Sequence, residues 1–283
     1  MHREIIQIIK GQVTQDGAGV TLTRVFGSDH AKQLDPFLML DEFGSNQPND
    51  YLPGFPEHPH RGFEAIAYML EGKMRHQDSL GNQGLLESGD VQWLTAGRGI
   101  LHSEMPEQSE GKLQGFQLWV NLPKAEKMKP AAYQDIAAEK IPQHTIDGIH
   151  YKLIAGSVRL GGEVMQGAIT GLPSQLSYLD IHFRQSATSH ITLDEPLTTL
   201  LYAYQGGVTV GPQQSLDKGE LAQLSNSGEL VIKGEAGSRL LLLTGKPFDE
   251  PIFQHGPFVM NSPEEIHQAV EDYRNGKLTS TSG

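Results

Sequence analysis

Gly54-Phe55-Pro56-Glu57-His58-Pro59-His60-Arg61-Gly62-Phe63-Glu64, running on into Ile66-Ala67-Tyr68-Met69-Leu70-Glu71-Gly72, carries both the fold and the chemistry of this 283-residue chain. Its second part is a short apolar run closed by glycine, the form of a strand rather than of a helix. The same form returns in Val20-Thr21-Leu22-Thr23-Arg24-Val25 and in Gly89-Asp90-Val91-Gln92-Trp93-Leu94. Further strands are expected over 115–122, 151–155, 175–183, 198–204, 207–211, 229–233 and 239–244. So many short strands cut by turn residues make an all-β protein built of barrels or sandwiches. One helix is expected near the end, with Ser262 as N-cap, Pro263 in the first turn, Glu265 completing a capping box and Gly276 stopping it after about Asn275. Residues 279–283 are expected to fray.

His58 and His60 form an i, i+2 pair, and so do His102 and Glu104 in Gly97-Arg98-Gly99-Ile100-Leu101-His102-Ser103-Glu104-Met105-Pro106. In extended backbone, residues two apart share a face, so two neighbouring strands can bring four ligand atoms to one place. The chain has no cysteine, which leaves His, Asp and Glu to hold any metal. Neutral imidazoles with one carboxylate suit Fe, Ni, Cu, Mn or Zn, and a six-coordinate ion keeps two positions for water, oxygen or substrate. Glu64, four residues after His60 and of the same parity, competes with Glu104 for the carboxylate place.

Composition removes several classes of function. Hydrophobic residues at 37%, with 32 Gly and 16 Pro, describe a turn-rich globular protein, neither disordered nor collagen-like. With 22 Lys and Arg against 34 Asp and Glu, the net charge of −12 works against direct nucleic-acid binding. No apolar run approaches the roughly 20 residues that span a membrane, and residues 1–10 lack a signal-peptide core, so a cytoplasmic address is expected. Pro123, Pro130 and Pro142 break the strand rhythm over 122–143 and divide the chain into an N-terminal metal-binding domain, 1–135, and a C-terminal domain, 136–283. The halves echo each other: residues 66–72 followed by Gly89-Asp90 resemble residues 200–206 followed by Gly219-Glu220, as a duplication would produce. Carrying the ligand spacings onto the second half lands on Thr192, Asp194, Ile232 and Gly234, which make no ligand set. His182 and His190 read as surface or core histidines.

The run Asp35-Pro36-Phe37-Leu38-Met39-Leu40-Asp41-Glu42-Phe43, the His58 to Glu64 run, residues 93–106 and Gly256-Pro257-Phe258-Val259-Met260-Asn261 together resemble the pirin family of the cupin superfamily. The resemblance spans nearly the whole chain. It implies a bicupin, two jelly-roll-like β-barrels packed together with a short C-terminal helix, and one metal in the N-terminal barrel. Fe(II) is the implied ion, with Ni, Mn, Cu or Zn as alternatives. The implied ligands are His58, His60, His102 and Glu104, with Glu104 also the proton acceptor and Glu64 a hydrogen-bonded barrel residue. The intervals from Glu64 to Gly72 and from Gly97 to His102 are longer than in generic cupins and match the pirin form. The implied activity is oxygen-dependent ring cleavage of quercetin-type flavonols, with a small aromatic substrate and a monomeric chain. The alternative is a non-catalytic iron-binding regulator whose partner is a transcription factor or a metabolic enzyme.

Other residues carry weaker expectations. His76 is expected as an exposed strand histidine, with pocket lining as the alternative. Asp41 and Glu42 either orient ligand imidazoles or are loop acids. Arg61 and Arg98 either meet a carboxylate or an anionic substrate, or hold loop carbonyls.

Overall fold

Every strand expected from the sequence forms in the computed structural model, which describes residues 2–193 and 196–279, and each ends within a residue or two of its expected bounds. Asp194 and residues 280–283 lie outside the described residues. Strands the sequence did not announce fill the gaps, among them Phe37–Ser45 and Ala187–Thr192. Their patterns mix charged or His residues with apolar ones, which blurs the alternation that identifies a strand.

Two seven-stranded antiparallel sheets dominate. In the first, the order is Ala132–Ile136, Val91–Thr95, Phe63–Glu71, Leu113–Asn121, Phe37–Ser45, Val20–Phe26 and Gln12–Asp16. In the second, it is Ile5–Lys10, Glu220–Leu224, Thr198–Gln205, Arg239–Gly245, Ser177–Phe183, Ile149–Ala155 and Gln143–Ile146. A four-stranded sheet, ordered Phe55–His60, Ile100–Pro106, Met74–Asp78 and Gln83–Leu86, carries both candidate ligand pairs. A six-stranded sheet carries Ala187–Thr192 beside Leu230–Gly234.

The two large sheets repeat one plan in detail. Tyr68 pairs with Val91 and Tyr202 with Leu221, each tyrosine four residues before a glycine turn and each partner two residues after another. The amide of Gly89 donates to Met69 O at 2.8 Å, and the amide of Gly219 donates to Ala203 O at 2.7 Å. Gly72, Gly89, Gly206 and Gly219 all have positive φ, 95°, 93°, 67° and 82°, a conformation that glycine adopts without strain. The sequence echo is therefore a duplicated strand–turn–strand unit.

The chain forms two compact units, and both termini leave the half of the sequence in which they lie. Residues up to Gly11 group with Glu139–Pro247, and Gln12–Ala138 groups with the chain from Phe248 on. A division at residue 135 into two contiguous segments leaves out this exchange. Its reason is visible in the sheets: the edge place that Ala132–Ile136 takes in the first is taken in the second by Ile5–Lys10. Arg3, fully buried, fastens that segment by donating to Ser225 O at 2.8 Å, Thr199 Oγ1 at 3.1 Å and Gly228 O at 3.2 Å.

The C-terminal helix spans Pro263–Arg274, with Ser262 as N-cap accepting from the Glu265 amide. Glu265 does not close a standard capping box: its Oε2 accepts from the Asn261 amide at 2.8 Å, one residue earlier than the N-cap. Gly276, φ 66°, follows the Asn275 C-cap as expected.

Candidate metal centre

Phe55–His60 and Ile100–Pro106 pair antiparallel with His102 opposite His58. The i, i+2 spacing therefore places His58, His60 and His102 on one face of the four-stranded sheet. One ring nitrogen from each lies within 4.8 Å of the others. Ring centroids stand 4.4 to 4.7 Å apart in all three pairings. His60 and His102 are buried, whereas His58 is half-buried.

Hydrogen bonding fixes how one of these rings presents itself. His58 Nδ1 lies 2.8 Å from Pro56 O, and a carbonyl only accepts, so Nδ1 carries the proton and Nε2 keeps its lone pair. That Nε2 is 3.0 Å from His60 Nε2. His102 Nε2 is buried without a hydrogen-bond partner. Burial first, and then repulsion from neighbouring imidazoles, holds His60 and His102 well below the ordinary histidine range, so both are neutral at physiological pH. Converging neutral nitrogens, one of them without a protein partner, fit a divalent transition metal.

Glu104 lies outside that three-histidine cluster but lines the same cavity as His58 and His60. It is buried, and Gln117 Nε2 donates to its two oxygens at 3.2 and 3.4 Å. Burial raises its pKa, against the opposing pull of His58, His76 and the Gln117 hydrogen bond. The cavity has a volume of about 670 Å³, with Met39, Phe43, Phe55, Met74 and Trp119 on its apolar side.

Glu64 is placed elsewhere. Its Oε1 accepts from Thr95 Oγ1 at 3.0 Å and Lys129 Nζ at 3.4 Å, and burial raises its pKa. The strand alternation that would carry Glu64 onto the face of His60 is broken because Arg61-Gly62 turns the chain between sheets. Gly62, φ 90°, has no room for a Cβ, which would run into Val259 O.

His76 corrects its expectation of exposure: it is buried, sits opposite Glu104 in register, and its Nε2 is 2.8 Å from Asp135 Oδ2. Asp41 is neither a loop acid nor an imidazole partner: it lies within the strand Phe37–Ser45, and Arg24 takes both its oxygens, at 2.9 and 2.8 Å. Glu42 accepts from Gln114 Nε2 at 3.3 Å. Arg61 holds the Arg98 carbonyl, as one of its two expected roles required, and adds an ion pair with Asp272 at 2.8 Å. Sequence reasoning missed Gln117, Arg24 and Lys127, whose partners lie on other strands. Lys127 is buried and donates to Asn121 Oδ1 at 2.6 Å, Gly62 O at 2.7 Å and Val259 O at 3.0 Å.

The second unit offers no equivalent cluster among its described residues. Ile232, on the strand matching Ile100–Pro106, is buried in a core with Ile191, Leu230 and Phe183. His190 is exposed beside Glu229 at 3.2 Å, and His182 is half-buried. Where the first barrel keeps polar groups, the second is packed with aliphatic side chains, each worth about 1.5–3 kcal/mol of burial.

A duplicated antiparallel barrel with a histidine cluster on its inner wall defines a two-domain cupin with a candidate metal site in one half. The family models agree: Pirin matches residues 19–120, and Pirin C-terminal cupin domain matches residues 178–279. The chain belongs to the pirin family. It is similar to a Pseudomonas aeruginosa protein named "Putative quercetin 2,3-dioxygenase", 49% identical over 98% of both chains. It is also similar to mouse Pirin, 42% identical over 93% of this chain and 89% of that one. Among solved structures, a quercetin 2,3-dioxygenase from Acinetobacter baumannii superposes with a TM-score of 0.91 at 35% identity, covering 98% of this chain and 99% of that one.

Proposed function

We propose that the chain is a mononuclear-metal dioxygenase that opens flavonol-type substrates, with His58, His60, His102 and Glu104 as metal ligands. The observation that carries this reading is the three-imidazole cluster at an apolar-walled cavity of about 670 Å³. Such a volume falls within the roughly 300–1,000 Å³ of small-molecule sites, larger than a metal used only for structure requires. The similarity to proteins named quercetin 2,3-dioxygenase supports the substrate class.

A redox-capable divalent ion, with iron our choice, supplies Lewis acidity toward a chelating enol and electrons for dioxygen chemistry. The protein's own groups do the rest. Met39, Phe43, Phe55 and Trp119 receive the rings and exclude water. Glu104, in the same cavity, accepts the proton of the substrate enol. Gln117 keeps that carboxylate aimed by donating to both its oxygens.

Metal analysis of the anaerobically purified protein, paired with an oxygen-electrode trace on adding quercetin, tests this for wild type and His102→Ala. About one metal per chain with oxygen uptake in the wild type, and loss of both in the variant, is the expected result. Bound metal without uptake overturns the dioxygenase reading and favours a regulatory role through a protein partner.

A further inference from the structure

Arg24 is the one Lys or Arg on the wall of the metal cavity among the described residues. Its strand, Val20–Phe26, lies beside Phe37–Ser45, which lies beside Leu113–Asn121. Arg24 opposes Asp41 and Asp41 opposes Gln117, so the three form one row across the sheet, and all three line the cavity. The row ends at Glu104, which Gln117 holds. Two interstrand spacings, about 10 Å, separate Arg24 from Gln117.

The guanidinium is held in one orientation. Buried Asp41 accepts from Nε at 2.9 Å and from Nη2 at 2.8 Å, and Nη2 also donates to Asp16 at 2.7 Å. These bonds use Nε and Nη2 and leave the two N–H groups of Nη1 for something else. The side chain is 34% exposed and lines the cavity, which places it within reach of a ligand there. Two carboxylates against one guanidinium leave the cluster with a net negative formal charge. It therefore repels a carboxylate while still donating to a neutral oxygen.

We propose that Arg24 is a specificity-determining residue that hydrogen-bonds a neutral oxygen at the end of the substrate remote from Glu104. The site then selects elongated, multi-ring phenols whose distal ring carries hydroxyl groups. This rests on the cavity being the substrate site proposed above. It adds which end of the substrate is recognised and by what chemistry.

Trp119 lines the cavity and is one of only two tryptophans, so quenching of its emission reads binding without turnover. The metal-loaded wild type, Arg24→Lys and Arg24→Gln are titrated with three flavonols, whose distal ring is unsubstituted, carries a catechol, or carries a carboxylate. The wild type should bind the catechol about tenfold more tightly than the unsubstituted compound, the scale of one hydrogen bond to a charged group. The carboxylate should bind more weakly than the catechol. In both variants the catechol preference should shrink to within about twofold. If Arg24→Gln does not fold, Arg24→Lys decides, because it keeps the charge between Asp41 and Asp16 and loses the fork. An undiminished preference in Arg24→Lys, no preference in the wild type, or a carboxylate bound as tightly as the catechol overturns the proposal. The expected binding pattern without oxygen uptake would leave Arg24 its role and remove the dioxygenase reading.

Discussion

His58, His60 and His102 were legible because their arrangement depends on local parity: two residues apart in a strand is enough to set a shared face. Gln117, Arg24 and Lys127 were not, because each is defined by a partner far along the chain, and so was the burial of His76, which follows from its strand being interior to a four-stranded sheet. Gln117→Leu removes the amide that donates to Glu104, a bond that lowers that carboxyl's pKa. The acid limb of the pH–activity profile should therefore move to higher pH, with kcat falling about tenfold or more. Lys127 gives a second residue-scale test. Burial pushes its pKa down to about 7, whereas the unfolded chain keeps the usual lysine value near 10.4. Between those values the unfolded state binds the extra proton, so this residue's contribution to stability rises with pH through that window and falls as pH drops toward 7. Urea unfolding of wild type and Lys127→Met should show the wild type gaining on the variant from pH 7 to 9, by up to about 1.4 kcal/mol per pH unit.

At the scale of elements, the C-terminal helix was readable from Ser262, Pro263 and Gly276, since caps are local signals. What it fastens was not readable. Arg61 follows the candidate ligand His60, is buried, and pairs with Asp272 on the helix while its backbone amide donates to Pro257 O at 3.3 Å. Val259 N in turn donates to Arg61 O at 3.0 Å. The helix and the hairpin before it thus hold the ligand strand from its far end. Asp272→Ala leaves Arg61 buried without its carboxylate and should cost about 2 kcal/mol in urea unfolding. It should also weaken metal binding about tenfold in a chelator competition, the size of effect seen when support behind a ligand is removed. Glu271→Ala, one residue away and exposed, should change neither measurably.

At the scale of the whole chain, the duplication was legible as a repeated glycine-closed strand, but the exchange of termini was not, because strand pairing between Ile5–Lys10 and Glu220–Leu224 leaves no mark in either segment alone. Each unit depends on an end of the chain that lies in the other half of the sequence. Two deletions should therefore have opposite effects. Removing residues 1–11 takes away the edge strand and the buried Arg3, so the unit containing Glu139–Pro247 should unfold at lower temperature. The histidine cluster, built on Phe55–His60 and Ile100–Pro106, should still bind metal in that variant. Removing the chain from Phe248 on takes away Asp272 and the carbonyls of Val259 and Pro257. It also opens the cavity wall formed by Gln254, Gly256 and Pro257. Metal content should drop in this variant even though every candidate ligand remains. Calorimetry with metal analysis on both deletions reads the two effects separately. Metal lost from the first deletion and kept by the second would show that the termini do not support the units they join.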